Sequence, residues 1–167
     1  QGGGRGIGRG IAKAMAAHGA SVVVADLGAA LDGSGEAHGP SDDVVKEIQA
    51  AGGTAVPCYD SVATMEGGEN IIQTSVDNFG KIDILVNNAS IFPRGNYLKE
   101  TPEQFDAIFH TNVLGMFLLN KHVLPHMISR RSGSVINISN GGSTAVGASR
   151  GTVTGRDLMF YNMSKAA

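Results

Sequence analysis

The sequence predicts an α/β chain: a doubly wound parallel sheet of the Rossmann type, with helices on both faces. Three observations carry that prediction. Short apolar runs alternate with amphipathic helical segments from Ala20 to Ser139. The chain opens on a glycine-rich loop, Gln1 to Gly10, that runs into an alanine-rich helix from Ile11 to His18. The first apolar run then ends in an acid, Asp26, 18 residues after Gly8.

The loop reads QGGGRGIGRG. Its glycines stand at Gly2, Gly6 and Gly8, a G-x-x-x-G-x-G spacing rather than G-x-G-x-x-G. Glycines in a loop that opens a helix let backbone N–H groups approach a pyrophosphate at the positive helix end. A plain flexible terminus would show the same composition, so the loop gains weight only from the helix, strand and acid that come after it in the chain. Ala20 to Asp26 is a buried-strand run, and an acid at that strand end can accept both hydroxyls of an adenosine ribose. The carboxylate would repel a 2′-phosphate, which favours NAD over NADP. Arg5 is the opposing signal, because a guanidinium can meet that phosphate.

Leu27 to Pro40 is a long glycine-rich connection, longer than most loops of α/β units. Ser41 to Ala51 is an amphipathic helix with Val44, Val45, Ile48 and Ala51 on one face. Thr54 to Tyr59 is a strand followed by Asp60, and Thr64 to Phe79 is a helix that Gly67 and Gly68 should weaken. Ile82 to Val86 is a strand running into Asn87-Asn88-Ala89-Ser90. Thr101-Pro102-Glu103-Gln104 carries a Thr cap, a proline at the first position and a glutamine at N3, the start of a long helix reaching Met127. Asn112 lies in that helix's apolar stripe, where a polar amide needs partners. Gly133 to Ser139 is the last strand, and Asn140 to Arg156 is a second long loop before a helix from Asp157 to Ala167.

On that final helix Tyr161 and Lys165 are four residues apart and share a face. A phenol with a pKa of ~10 exchanges protons poorly at neutral pH. An ammonium beside it favours the phenolate and moves the pKa toward the working range. Such a pair suits proton exchange with an alcohol or carbonyl oxygen while a hydride moves at carbon. Alone, a Tyr-x-x-x-Lys spacing arises often by chance; the glycine loop at the other end of the chain gives it meaning.

Composition narrows the function classes. The chain has 167 residues, 42% hydrophobic and 17% charged, with a net charge of −2. Its one basic pair, Arg130-Arg131, is no footprint for nucleic acid. No apolar run reaches membrane-spanning length. The single cysteine, Cys58, excludes an internal disulfide and fits a reducing compartment, so a cytoplasmic location is expected. His122 and His126 have a metal-compatible spacing, but no Glu follows His122 and Pro125 disturbs the turn, so no metal is expected.

Taken together, these motifs resemble those of the short-chain dehydrogenase/reductase family, and the resemblance runs from Gln1 to Ala167. Gly2, Gly6 and Gly8 match its cofactor loop, with Gln1 in place of the usual Thr, and Arg5 and Ile7 lie within that loop. The resemblance implies that Asp26 holds the ribose, and that Asp60, with Ser61 and Val62 beside it, meets the adenine end. Asn88 and Ala89 match the N-N-A-G turn, which here ends in Ser90. Asn112 matches a helix asparagine that orders a water leading to the catalytic lysine. Tyr161 then becomes the general acid/base, and Lys165 tunes it and binds the nicotinamide ribose. The family's substrate-holding serine falls on Asn140, so Ser139 ranks first among the serines and Ser143 next.

The resemblance implies an NAD-dependent enzyme that interconverts a secondary alcohol and a ketone, and a homo-oligomer when full length. The segments DLGAALDGSG and YDSVA are similar to dehydrogenase domains of peroxisomal multifunctional enzymes, which makes an acyl-CoA a candidate substrate. A nucleotide-binding module without chemistry is the rival reading, motivated by Asn140 and Ser90. An epimerase of the extended type fits poorly, because its glycine spacing differs. In this family a strand precedes the cofactor loop, and further strands come after the Tyr-bearing helix. The chain is therefore expected to be part of a longer protein, with an incomplete sheet and low stability alone.

Overall fold

The computed structural model describes residues 2–28, 39–92, 99, 101–139 and 163–165. Gln1, most of the first long loop, Asn140, Ser143 and Tyr161 lie outside the described residues. In chain order the elements are α1 (Gly6–Ala17), β1 (Ser21–Ala25), α2 (Gly39–Ala50), β2 (Thr54–Cys58), α3 (Met65–Phe79), β3 (Ile84–Asn87), α4 (Pro102–Phe109), a π-helical turn (His110–Leu114), α5 (Gly115–Arg130) and β4 (Ser134–Asn137). Residues 163–165 are helical.

All strand pairing among the described residues is parallel. Strand β1 pairs with β2, Ser21 opposite Thr54 through Ala25 opposite Cys58. Strand β3 pairs with β4, Ile84 opposite Ser134 through Asn87 opposite Asn137. Side chains alternate across a strand, and the β1–β2 pair accordingly serves two cores. Val24 and Ala55 pack with Ala12, Ala16, Val44, Val45 and Ile48 of α1 and α2. Ala25 and Cys58 pack with Ile71 and Ile72 of α3 and with Leu119 and Val123 of α5. Helices therefore cover both faces, as the alternating pattern predicts.

The two pairs form separate two-stranded sheets. Their inner edges, β1 and β3, border a cavity of about 400 Å³ that Ile11 and Met15 of α1 close from one side and Ile72 and Phe79 of α3 from the other. Among the described residues these two edges carry no strand partner, and a parallel strand laid between them would pair both. A five-residue apolar strand fused ahead of the glycine loop is expected to raise Tm by at least about 5 °C. An unchanged Tm in a calorimetric scan would contradict that reading of the cavity.

Two expectations from sequence are refined by the structure. The long helix from Thr101 forms and reaches Arg130, and its capping box is as expected, Thr101 and Gln104 each bonding the other's backbone. It is not α-helical throughout, because it widens into the π-turn at His110–Leu114. Gly67 and Gly68 lie inside an intact α3, where packing gives each a reason that the sequence did not show. A Cβ on Gly67 would lie 2.1 Å from the Ser61 carbonyl oxygen, and one on Gly68 would lie 3.3 Å from Leu118 Cβ. They permit close approach of α3 to the loop after β2 and to α5, while Thr64 caps the helix by accepting from Gly67 N.

Candidate nucleotide and active site

The glycine loop is held at three places. Gly3 N donates to the Ala25 carbonyl at 3.1 Å, and Gly4 N to Asp26 Oδ2 at 2.8 Å. Asn88 Nδ2 donates to the Gly2 carbonyl at 3.0 Å. The loop therefore lies across the ends of both strand pairs. Gly2 and Gly6 take positive φ, +80° and +49°, which an L side chain resists. Gly8 is required for a different reason: a Cβ there would lie 1.8 Å from Gly2 O and 2.7 Å from Asn88 Nδ2. Helix α1 begins directly after this turn, with Arg5 at its N-cap making no side-chain capping bond. A tight glycine-rich turn, leading into a helix start that no side chain caps, fits a pyrophosphate. Ile7, 68% exposed, stands at the same helix start.

Asp26 is buried, and its carboxylate is already engaged. Oδ2 accepts from Gly4 N, and Oδ1 accepts from Gly28 N at 2.7 Å. Ser41, at the start of α2, donates to the Asp26 carbonyl at 3.1 Å. The acid thus links the glycine loop to the segment after β1, beyond the ribose contact expected of it. A carboxylate has about four acceptor positions, so two remain for a ligand.

Asp60 follows β2 and accepts from Cys58 Sγ at 3.4 Å and from Asn70 Nδ2 at 3.0 Å. Burial pushes the Cys58 thiol pKa up, against a smaller opposing effect of a hydrogen bond to the Asp60 backbone, which makes it a core group rather than a nucleophile. Ser61 Oγ accepts from Ala63 N at 3.2 Å.

The π-turn places Asn112 in the interior, with no exposed surface. Its Oδ1 accepts from Ile91 N at 2.9 Å, and its Nδ2 donates to Ile91 O at 3.1 Å and to Ser164 Oγ at 2.9 Å. Lys165, next along the helix, donates from Nζ to the Ile138 carbonyl at 3.1 Å. Burial alone lowers its pKa from the usual lysine range. Ser139 Oγ donates to the Lys165 carbonyl at 3.2 Å. The structure therefore gathers Asn112, Ser139 and Lys165 at the end of the β3–β4 pair.

Sequence reasoning missed a group of three amides centred on the buried Asn87. Asn87, on β3, donates from Nδ2 to Asn137 Oδ1 on β4 at 2.8 Å and to Asn120 Oδ1 on α5 at 3.1 Å. Three asparagines spread along the chain have no local signature, although the two in the apolar strand runs were a signal of paired polar groups. Asn87 Oδ1 and Ser90 Oγ are buried without a hydrogen-bond partner. Among the described residues no group of His, Cys, Asp or Glu has a metal-binding arrangement, and no helix is long and apolar enough to cross a membrane.

Comparison with known proteins matches this geometry to one family. A family profile described as short chain dehydrogenase matches residues 1–167. The chain is 42% identical over 139 residues to the peroxisomal hydratase-dehydrogenase-epimerase of Saccharomyces cerevisiae, covering 83% of this chain but 15% of that protein. The structure of a 7 alpha-hydroxysteroid dehydrogenase complexed with NADH and 7-oxo glycochenodeoxycholic acid superposes with a TM-score of 0.83 at 28% identity, over 99% of this chain and 58% of that one. A short chain dehydrogenase from Mycobacterium avium gives a TM-score of 0.82 at 37% identity, again over 99% of this chain and 58% of that one. The chain thus spans a minor part of the yeast enzyme and somewhat over half of each solved structure. Glycine loop, helix-borne asparagine and terminal lysine stand in one fold with these proteins, and the chain belongs to the short-chain dehydrogenase/reductase family.

Proposed function

We propose that the protein carrying this chain is an NAD-dependent oxidoreductase that interconverts a secondary alcohol and a ketone. The observation that carries the reading is the pairing of a glycine-lined phosphate cradle at Gly2–Gly8 with a half-buried lysine four residues after Tyr161 in the sequence. The loop and the start of α1 would hold the pyrophosphate, Asp26 the adenosine ribose, Asp60 and Ser61 the adenine end, and Asn88 and Ala89 the nicotinamide side. When bound, the nicotinamide supplies or takes the hydride at its C4.

Tyr161 gives its proton to the nascent alkoxide in reduction and takes it back in oxidation. Lys165 holds the phenolate form in reach, and Asn112 fixes the wall behind it and would order a water that leads to the lysine. Ser139, whose rotatable hydroxyl bonds the Lys165 carbonyl at 3.2 Å without substrate, would turn to hold the substrate oxygen.

Asp26 supports NAD over NADP by charge repulsion of a 2′-phosphate, and the structure with TM-score 0.83 contains NADH. An acyl-CoA remains a candidate substrate on the resemblance of the segments starting at Asp26 and Tyr59. A cytoplasmic location rests on the single reduced cysteine, Cys58, although the similar yeast enzyme is named as peroxisomal. Pairing of two copies through α5 is supported by its uncovered stripe of Phe117, Leu124 and Ile128, which are 60%, 43% and 69% exposed.

The test is a fluorescence titration with NADH and NADPH, followed by turnover on ketones and 3-oxoacyl-CoA thioesters. Tighter NADH binding and reduction of at least one ketone are expected. Preference for NADPH would overturn the role of Asp26. Binding with no turnover would favour the module without chemistry.

A further inference from the structure

We propose that Ser164 is a positioning residue of the active site, setting the rotation of the helical segment 163–165 and with it the placement of Lys165. The inference rests on the reading of Tyr161 and Lys165 as the catalytic pair.

Ser164 has no exposed surface, although Met163 beside it is 45% exposed. Its hydroxyl accepts from Asn112 Nδ2 at 2.9 Å. The Asn112 amide cannot be turned round. The Ile91 N–H needs the oxygen and the Ile91 carbonyl needs the NH₂ group, so both backbone bonds fix which end is which. One N–H is left over, and it points at Ser164. The π-turn supplies this donor: the amide sits in the widened turn between α4 and α5 with no exposed surface, tied to the segment after β3.

The same helix is tied a second time at the next residue. Lys165 Nζ donates to the Ile138 carbonyl, and Ser139 Oγ donates to the Lys165 carbonyl. Successive residues on a helix point about 100° apart. Two pins on adjacent residues, one to the π-turn and one to the end of β4, therefore fix rotation about the helix axis. Without the Ser164 bond the segment 163–165 is held less firmly in rotation, which disturbs the placement of Lys165 that the proposed chemistry needs, while the glycine loop is untouched. Misplacement of a reacting group by about 1 Å can cost 10²-fold in rate. The remaining Lys165 tie limits the displacement, so the expected loss is smaller.

The experiment measures kcat, NADH affinity and the pH profile of alcohol oxidation in the intact protein for S164A, S164C and Y161F. S164A is expected to lower kcat by roughly three- to ten-fold and to move the acid limb of the profile, which reports Tyr161 ionisation. NADH affinity should stay within two-fold, or about 0.4 kcal/mol. S164C keeps the size and a weak acceptor, and it should recover part of the loss. A profile and kcat equal to wild type in S164A, with only Tm lowered, would overturn the proposal by showing a purely structural contact. S164C as impaired as S164A would also overturn it, because volume rather than the hydrogen bond would then be the cause. Y161F separates the two levels: if Y161F is active, the reading of the catalytic pair has failed; if Y161F is inactive and S164A is normal, only the positioning role has.

Discussion

Replacing Tyr161 by phenylalanine in the intact protein will lower kcat by roughly 10² to 10⁴-fold, the usual contribution of a positioned acid or base, and leave NADH affinity nearly unchanged. The phenol is the group that the Tyr-x-x-x-Lys spacing offers to give and take the alcohol proton near neutral pH, with Lys165 four residues on in the sequence to favour its ionised form. Lys165 is itself held from the β4 side by the Ile138 carbonyl, so the ammonium is fixed rather than free on a surface arm. The aromatic ring remains in the variant, and packing and nucleotide binding should persist. Steady-state turnover with saturating alcohol, set against a fluorescence titration with NADH, checks both halves. Full activity in Y161F would remove Tyr161 from the mechanism.

Gly8→Val is the second large effect, and it acts on binding instead of chemistry. The new Cβ would lie 1.8 Å from Gly2 O and would strike the Asn88 amide as well. Neither the backbone of the loop nor the turn after β3 can yield without moving the phosphate cradle. The Kd for NADH is expected to rise by at least about 100-fold, or about 2.7 kcal/mol. Gly10→Ala is the matched control. It lies in the same helix, with nothing within 4 Å of the added methyl group. Binding should be unaffected there, and stability should rise by about 0.5–1 kcal/mol, because alanine is the better helix former. Equal losses at both positions would show that the cradle reading of the glycine loop is wrong.

Much of the fold was legible because it rests on local patterns. The apolar runs at Ser21–Ala25 and Thr54–Cys58 form strands, and the Thr101 capping box starts a helix where its residues say it should. The glycine loop and Asp26 were legible for the same reason: the chemistry needs those residue types at a fixed distance along the chain. What stayed hidden depends on contacts across the fold. The π-turn inserts one residue and turns the helix face beyond it, so that Leu118, Leu119 and Val123 are buried while Phe117 and Leu124 face outward, and no residue type in the sequence marks His110–Leu114. Asn87, Asn120 and Asn137 meet only because β3, α5 and β4 do. Gly67 and Gly68 looked like helix breakers, because the sequence does not reveal the Ser61 carbonyl and Leu118 they must pass. Ser164 lay unnoticed inside the Tyr-x-x-x-Lys spacing, and its burial against Asn112 is visible only in three dimensions.

Isotope transfer decides whether the protein exchanges a hydride with a carbinol carbon. The intact protein would be incubated with NADH carrying deuterium at C4, as each C4 epimer in turn, and with a panel of ketones and 3-oxoacyl-CoA thioesters. Products would be read by mass spectrometry and NMR. Deuterium is expected on the carbinol carbon of at least one product, delivered from one epimer only, and none with Y161F. Saturable NADH binding without deuterium in any product would contradict hydride exchange and leave a nucleotide-binding module in its place.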